Sequence, residues 1–562
     1  MKIASSRPLQ LVLLNLAFAC SWLAQSPPTK PARLRTYDVQ NYVIRSRFDR
    51  ASKIYFGDTT IVFKPLRNGF SVLNLDAAGM KFESVRLGDE NGKSLPYRQT
   101  GEKLIVTLDK PYADSETIAV RLKYSAQPKK GVYFVDELRD GDKVIRSSQV
   151  WTQCEAEEAH HWFPSYDYPD DKALTEQYIT VPADETAIAN GELLETINNS
   201  DGTKTFHYKM PVPHSTYLTS MIVGRYVKSE DQYKNIPLAF YVYPGTESVI
   251  PLAYGKTTDM MRVFEEVTGV DFPFNKYDQT IVANFNFGGM ENITATTMAD
   301  TEIFAANYDF GRELVMDLVS HELAHSWFGD LVTTKNWSNL WLNEGFATLM
   351  EAVYREKLNG RADYLRKVRN DATRWLGEDS AGINRHALVR PNAPTDDSLF
   401  DTTTYQKGGA VLHTLRSEIG DAAFWKGVNI YLNRHKFANV EAADLKKAME
   451  EAAGRDLTWF FDQWIYKGGF PRLSVRQVYN AATKKLTLTV TQTQRADAIT
   501  PAAFVLPMDV EIQTASGAKN EKIQINKRTQ IFTVPLDGKP TAINFDKDEK
   551  IPLKIVRLLP PL

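Results

Sequence analysis

The spacing of apolar residues changes twice along the chain, and this limits the folds that it can adopt. Before about residue 229, apolar and polar residues alternate in short runs such as residues 59–63 and 104–108. From about residue 255 apolar residues recur at intervals of three and four, and alternation returns in about the last ninety residues. Alternation is typical of strands and the longer interval is typical of helices. The sequence therefore predicts a multidomain α+β protein, with an all-β domain, a mostly helical domain and a final β domain.

The first residues have the layout of a secretory signal. Lys2 and Arg7 precede an apolar run, residues 11–19, that ends in a small-x-small cleavage site. We assign residues 1–24 to a signal peptide and residues 25–35 to a Pro-rich spacer. The run is too short to span a bilayer, and no other stretch approaches the roughly 20 apolar residues of a transmembrane helix. The sequence predicts an exported protein, periplasmic or extracellular, with Cys20 offering an alternative lipid anchor.

Charge and cysteine content restrict the partners and the means of stabilisation. The net charge is −2, without the basic excess of nucleic-acid-binding proteins, so we expect no nucleic acid partner. Cys154 is the only cysteine besides Cys20, so the exported chain cannot rely on a disulfide framework. Nothing in the sequence sets the oligomeric state.

Within the helical part, two histidines stand four residues apart. Apolar spacing predicts a helix from Arg312 to about Phe328. On this helix His321 and His325 lie one turn apart on the same face, where both imidazoles can reach one ion, and Glu322 projects beside them. A catalytic zinc site usually has three protein ligands and an open position for water. A third ligand is therefore required.

A second predicted helix supplies a candidate for that ligand. Glu344 opens this amphipathic helix, which ends at Asn359 and Gly360. If the two helices pack antiparallel, the Glu344 carboxylate can reach the open side of the two histidines. Two imidazoles with one carboxylate are a known ligand set of hydrolytic zinc. The sequence predicts one Zn²⁺ per chain.

A glycine-rich motif precedes both helices. Gly288 and Gly289 follow a strand-like segment and allow a ligand backbone to approach closely, so that a peptide can pair with this edge as an added strand. Glu291 offers a fixed negative charge suited to the free amino group of a peptide. The alternative is a tight turn with an exposed glutamate.

These motifs resemble the M1 family of zinc aminopeptidases, in the gluzincin group. The resemblance covers roughly residues 36–470 and includes residues 151–156, 288–292, 321–325 and 405–408, with Glu344 at the family's spacing. It implies a thermolysin-like zinc catalytic domain at residues 230–470, an N-terminal β-domain at 36–229 and a small C-terminal β-sandwich at 471–562. The resemblance further implies a three-domain form that lacks the large helical C-terminal domain of many relatives.

The resemblance also implies a role for each site residue. His321, His325 and Glu344 would bind zinc, and Glu322 would be the general base. Tyr405 would donate a hydrogen bond to the developing oxyanion. The expected substrates are peptides with a free N-terminal amine. The residues expected to hold the substrate are Gln153, Glu155, Gly288, Gly289, Met290 and Glu291.

The sequence departs from the family pattern at two places. His160 and His161 stand where many relatives carry Arg, and Tyr168 replaces a glutamate. Adjacent histidines are a poor arrangement for binding one ion together.

Two other functions are the alternatives to an aminopeptidase: a peptide-binding relative without activity, and a thermolysin-like endopeptidase. The first would be expected to lack Glu322, a zinc ligand or Tyr405, and the second gives Glu155 and Glu291 no role.

Overall fold

The computed structural model describes residues 33–560, so the predicted signal peptide and Cys20 lie outside the described residues. The N-terminal domain contains strands and short turns, as the alternation predicts. Its strands are β1 Tyr37–Asp49, β2 Ile54–Pro65, β3 Phe70–Asp76, β4 Met80–Leu87, β5 Tyr97–Thr100, β6 Lys103–Tyr112, β7 Ile118–Ala126, β8 Gly131–Val135, β9 Leu138–Asp140, β10 Lys143–Arg146, β11 Gln149–Gln153, β12 Lys172–Pro182, β13 Thr186–Ala189, β14 Glu192–Asn198, β15 Thr203–Ser215 and β16 Met221–Gly224.

The N-terminal strands form one large sheet and three smaller ones. The large sheet has the order β14-β15-β12-β1-β2-β7-β4, and of its pairs only β1 with β12 is parallel. Sheets β13-β16-β11-β8, β3-β6-β5 and β10-β9 complete the domain. Strand β11 is buried along its whole length because it lies between its own domain and the next. Trp151 Nε1 donates to the carbonyl of Ala283 across this boundary, at 3.1 Å. This contact fixes the end of β11, which carries Gln153, against the central domain.

The central domain combines one sheet with the helices. Its strands are β17 Val227–Tyr233, β18 Ile236–Val242, β19 Tyr277–Val282, β20 Gly289–Met290, β21 Ala295–Ala299, β22 Thr333–Thr334 and β23 Asn439–Val440. Its helices are α1 Ile250–Ala253, α2 Thr257–Thr268, α3 Asp300–Phe304, α4 Asp309–Ala324, α5 Trp341–Asn359, α6 Arg361–Ser380, α7 Gly408–Ile419, α8 Asp421–Arg434, α9 Ala442–Ala453 and α10 Thr458–Trp464. The main sheet has the order β17-β18-β19-β21-β20, so β20 is an edge strand. Strand β17 crosses the predicted boundary at residue 229 and pairs with β18.

The two predicted helices are present, with different ends. Helix α4 stops at Ala324, four residues before the predicted end, because the backbone then leaves the α-helical hydrogen-bond pattern. The amides of Ser326 and Trp327 first donate only three residues back, and wider turns follow. In these turns the amide of Asp330 donates to the carbonyl of His325 at 3.0 Å. Helix α5 begins at Trp341, which places Glu344 in its first turn rather than at its start, and ends at Gly360 with φ of 88°. The glycine takes a backbone conformation that other residues adopt only with strain.

The C-terminal domain is a β-sandwich. Its strands are β24 Arg472–Asn480, β25 Lys485–Gln492, β26 Leu506–Thr514, β27 Gly517–Ile525, β28 Thr529–Pro535, β29 Pro540–Phe545 and β30 Ile555–Leu558. They form two sheets, β28-β25-β24-β30 and β27-β26-β29. Leu486, Leu488 and Val490 alternate with partly exposed residues in β25 and belong to the same buried core as Val510 and Ile512 of β26. The predicted fold class, β then mostly helical then β, is confirmed. Within residues 33–560, none of the helices has both the length and the apolar character needed to cross a membrane.

Candidate active site

The two histidines and the glutamate of the predicted metal site converge. His321 Nε2 and His325 Nε2 lie 3.2 and 3.3 Å from the same oxygen, Oε2 of Glu344. One ligand atom from each of the three residues lies within 4.8 Å of the others, although the histidines come from the end of α4 and the glutamate from α5. This donor set, two neutral nitrogens and one carboxylate oxygen, fits zinc.

The remaining ring nitrogens of these histidines are also held. His321 Nδ1 lies 2.8 Å from Glu351 Oε1, and His325 Nδ1 lies 2.9 Å from the carbonyl oxygen of Phe328. Zinc-binding histidines commonly donate their second N–H to a carboxylate or a carbonyl, which fixes the tautomer and the ring orientation. With Nδ1 protonated, both Nε2 lone pairs are directed toward Glu344. The arrangement therefore supports zinc binding through Nε2 of both rings.

Glu351 belongs to a buried charge network that the sequence analysis missed. Lys367 Nζ of helix α6 lies 2.8 Å from Glu351 Oε2 and 2.7 Å from Asp371 Oδ2. Burial opposes the ionisation of Glu351, but Lys367 and His321 lower its pKa to about 2. Loss of such an outer partner typically weakens metal binding about 10–100-fold. The spacing of seven residues between Glu344 and Glu351 puts both on one face of α5 and was the available signal.

The glycine motif forms the edge strand β20 and lies directly against Glu322. Met290 and Gly289 pair antiparallel with β21. A Cβ atom at Gly289 would lie 2.3 Å from Glu322 Oε1, so only glycine leaves room for this carboxylate at the edge of the sheet. A Cβ atom at Gly288 would meet Leu318 of α4 at 3.0 Å. The missing side chains therefore let the sheet edge and the histidine helix come together.

Three buried side chains next to this edge have oxygens without partners. They are Gln153 and Glu155 from the N-terminal domain and Glu291 from the central domain. Among residues 33–560, no group donates a hydrogen bond to Oε1 of any of the three. Oxygens of Glu155 and Glu291 lie within 4.8 Å of each other and of a Glu344 oxygen. Gln153 Nε2 also contacts Sδ of Met290, which lies 137 residues later in the chain, at 3.2 Å.

The electrostatics of the site follow from its burial. Burial raises the pKa of Glu322 to about 8, despite the nearby histidines, so this carboxyl group can hold and release a proton near neutral pH. The pKa of Glu155 is raised well above its usual value by burial and by the proximity of Glu291. Burial also raises the pKa of Glu291, against the opposing effect of His325. A cationic ligand next to these two buried carboxyl groups would favour their ionised forms.

Tyr405 faces the same histidines from a third element. It lies in a π-helical turn, Thr403–Lys407, that leads directly into α7. Its ring is nearly parallel to that of His321, with 14° between the planes and 6.0 Å between the centroids. Such turns are frequent at functional sites because they shift one side chain out of the helical register.

A backbone contact between two glycines joins this turn to helix α5. A Cβ atom at Gly345 would lie 3.0 Å from Gly408, and one at Gly408 would lie 2.9 Å from the Cα of Gly345. Each glycine is close to a predicted site residue, since Gly345 follows Glu344 and Gly408 follows Tyr405 by three residues. The contact sets the separation of these two side chains.

All the predicted site residues line one cavity of about 600 Å³. The cavity lies between β20, helices α4 to α6, the π turn and the end of β11. The predicted residues on its wall are Gln153, Glu155, Gly288, Gly289, Met290, Glu291, His321, Glu322, His325, Glu344 and Tyr405. Phe287, Leu314 and Phe400 add an apolar part that the sequence analysis did not assign. The roles of these residues stay predictions, but the fold brings all of them together.

The N-terminal and central domains of this chain both match a known protein family. Residues 38–218 match the peptidase M1 N-terminal domain, and residues 252–464 match the peptidase family M1 domain. Together the two matches cover well over half of the chain. The chain belongs to peptidase family M1. The resemblance stated from the sequence motifs is confirmed, and the matched M1 domain contains every residue of the histidine and glutamate cluster.

Several curated M1 relatives are similar over most of this chain. Aminopeptidase N of Streptomyces lividans is 31% identical over 420 residues, which are 73% of this chain and 46% of that protein. Aminopeptidase 2 of Candida albicans is 28% identical over 438 residues, 76% of this chain and 47% of that protein. Probable aminopeptidase 2 of Sulfurisphaera tokodaii is 28% identical over 437 residues, 77% and 54% of the two chains. The M1 chain described here spans about half the length of these relatives.

Proposed function

We propose that this M1 protein is a zinc aminopeptidase that removes the N-terminal residue from peptides. The observation that carries the proposal is the set of unpartnered oxygens on Gln153, Glu155 and Glu291 beside the histidine and glutamate cluster. A free ammonium group has three N–H donors, one for each of these three acceptors, and a positive charge that the two carboxylates attract. A peptide held there by its amino group presents its first carbonyl to the metal site.

The site residues can divide the reaction among them. Zinc held by His321, His325 and Glu344 would lower the pKa of a water molecule and polarise the scissile carbonyl. Glu322 is placed to accept a proton from the attacking water and to deliver it to the leaving amine. The Tyr405 hydroxyl would donate a hydrogen bond to the oxygen that gains negative charge. The peptide backbone would pair with the edge strand β20, where glycines allow a close approach.

Burial explains why only the first residue would be removed. An internal or acylated residue brings no positive charge to Glu155 and Glu291, and it would leave two buried carboxylates uncompensated. A thermolysin-like endopeptidase gives these carboxylates no function. A peptide-binding protein without activity does not need the proton-accepting Glu322 or the hydroxyl of Tyr405.

The decisive test compares one peptide series with free and with acetylated N-termini. We expect cleavage of the free peptides only, loss of cleavage after chelator treatment, and recovery when zinc is added back. Release of the first residue is followed by chromatography and mass spectrometry.

Each other outcome supports a different function. Equal cleavage of free and acetylated peptides would favour an endopeptidase over the proposed aminopeptidase. If zinc-loaded protein cleaves neither form, the peptide-binding alternative gains support, and tight binding of the free peptides would then be its expected property.

We also propose that the protein is exported, to the periplasm or the extracellular space. The support is the charged, apolar and small-residue layout of residues 1–24, which lie outside the described residues. Mass spectrometry of the mature protein from its native host is expected to find an N-terminus between residues 20 and 25. An N-terminus at Met1 in the cytoplasmic fraction would contradict export, and a lipid on Cys20 would identify a lipoprotein.

A further inference from the structure

Two adjacent histidines of the N-terminal domain lie outside the active-site cavity. His160 and His161 belong to a 3₁₀ turn, Ala159–His161, and the proposed reaction uses neither. From the sequence alone, adjacent histidines are a poor arrangement for binding one ion together. The structure differs, because the tight turn brings the two ring centroids to 4.6 Å with 32° between the planes. The corresponding distance for the two active-site histidines is 4.8 Å.

A carboxylate approaches the same point from a different part of the sheet. Glu102 lies in the turn between β5 and β6, and its Oε2 is 3.8 Å from His160 Nε2. Backbone hydrogen bonds hold this turn beside the histidines, since the amide of Ala77 donates to the carbonyl of Glu102 and that of Ala78 donates to the carbonyl of His160. One ligand atom from each of Glu102, His160 and His161 lies within 4.8 Å of the others. The donor types are those of the active-site cluster, two imidazoles and one carboxylate.

His160 has the outer partner that a metal-binding histidine usually has. Its Nδ1 lies 2.7 Å from Oδ2 of Asp167, a carboxylate that is 1% exposed. Asp167 is itself fixed, because its Oδ1 accepts the hydroxyl of Thr216 at 2.8 Å and its Oδ2 accepts the amide of His160 at 3.0 Å. With Nδ1–H directed to Asp167, the lone pair of His160 Nε2 faces Glu102. This repeats the relation of His321 to Glu351.

The surrounding charges do not oppose a divalent cation. Two ammonium groups near the cluster, those of Lys103 and Lys130, are each paired with a carboxylate. Lys103 contacts Asp76, and Lys130 lies 2.7 Å from Glu158. Asp167 and Glu102 add two further negative charges. Arg33 shares Asp76 with Lys103, so the four carboxylates named here still outnumber the three cations before any metal ion binds.

We propose that Glu102, His160 and His161 form a second zinc site, separate from the active site. Two imidazole nitrogens and one carboxylate oxygen suit zinc and other late divalent transition metals, and water would complete the coordination. The Glu102 side chain is 68% exposed, so the site is open and binds more weakly than the buried active site. A bound ion would tie the β5–β6 turn to the segment that follows Glu155, and so would hold the amine-binding residues in place.

The test counts zinc ions rather than activity. Full-length protein is dialysed to equilibrium against buffers of defined free zinc, and its zinc content is measured by elemental analysis. We expect two ions per chain for the wild type and one for His161→Ala. In this variant the affinity for the second ion should fall further than the loss of about 10–100-fold that removing an outer partner causes, because a ligand itself is removed. Glu102→Gln, at an exposed position, should weaken the same ion without affecting folding.

Three further variants separate this site from the others. The double variant His321→Ala, His325→Ala should keep one ion, and its cobalt form should lose its visible absorption when His161→Ala is added. His207→Ala is the matched control, because His207 also lies between two carboxylates, Glu176 at 2.8 Å and Glu195 at 3.2 Å. This control should retain two ions.

Two results would overturn the proposal. One is a single zinc ion in the wild type at free zinc well above the level that fills the active site. The other is a second ion that persists with unchanged affinity in both His161→Ala and Glu102→Gln, since it must then bind elsewhere. Thermal unfolding of each variant establishes that a lost ion does not reflect a lost fold. Because peptide hydrolysis is not the readout, the outcome is independent of the proposed aminopeptidase function.

Discussion

Glu322→Gln lowers kcat for free-amine peptides by about 10²–10⁴-fold, the usual contribution of a general base. Glutamine keeps the shape of the side chain beside Gly289 but cannot accept a proton from water and return it to the leaving amine. The zinc content of the active site should not change, because the three ligand atoms come from His321, His325 and Glu344. Steady-state rates and elemental analysis on the same preparation measure both quantities.

The matched control for this substitution is Glu302→Gln. Glu302 is an exposed residue of helix α3 and lies outside the cavity, so its replacement should leave kcat close to the wild-type value. If Glu322→Gln retains a rate within a few-fold of wild type with zinc bound, another group takes the proton and the proposed mechanism is wrong.

Tyr405→Phe is expected to reduce kcat by about 10²–10³-fold with little change in KM, as for the loss of one oxyanion hydrogen-bond donor. The phenyl ring can keep its parallel position next to His321, so zinc binding and substrate binding should persist. Only the hydrogen bond to the charged oxygen is lost, and this bond is strong in the transition state and weak in the ground state. Rates over a range of peptide concentrations separate the two kinetic constants.

Tyr466→Phe serves as the control for the Tyr405 variant. Tyr466 is an exposed tyrosine outside the cavity, and its hydroxyl should not affect turnover. A rise in KM with unchanged kcat in Tyr405→Phe would assign Tyr405 to substrate binding. A wild-type rate would remove its hydroxyl from the reaction.

The parts of this site that depend on short spacings could be predicted from the sequence. A spacing of four residues on a helix brings His321 and His325 to one point, and a second apolar helix starting near Glu344 offers a third ligand. The structure brings these three residues together, with His321 in α4, His325 at the C-terminal cap of α4 and Glu344 in α5. The domain order could also be predicted, because the spacing of apolar residues differs between strands and helices and each spacing persists over long stretches.

Features that depend on distant contacts could not be derived in this way. Gln153 and Met290 touch across 137 residues, and no local pattern indicates that pairing. Tyr405 is one of 25 tyrosines, and only family resemblance selected it. Lys367 reaches Glu351 because α6 packs along α5, which follows from the tertiary fold alone. The predicted end of α4 is wrong because apolar residues continue after Ala324, although the backbone there leaves the α-helical hydrogen-bond pattern.

The backbone contact between Gly345 and Gly408 has a consequence for engineering the substrate preference proposed for this protein. Neither residue lines the cavity, so a mutagenesis library aimed at a new substrate preference would treat both as free positions. A methyl group at either one would have to push α5 and α7 apart, and would move Glu344 away from Tyr405. Such variants would still fold and bind zinc, but the zinc would be out of line with the Tyr405 hydroxyl. They would be discarded as inactive whatever the shape of their substrate pocket. Screens for altered specificity should therefore hold these two glycines constant and vary Phe287, Leu314 and Phe400 instead.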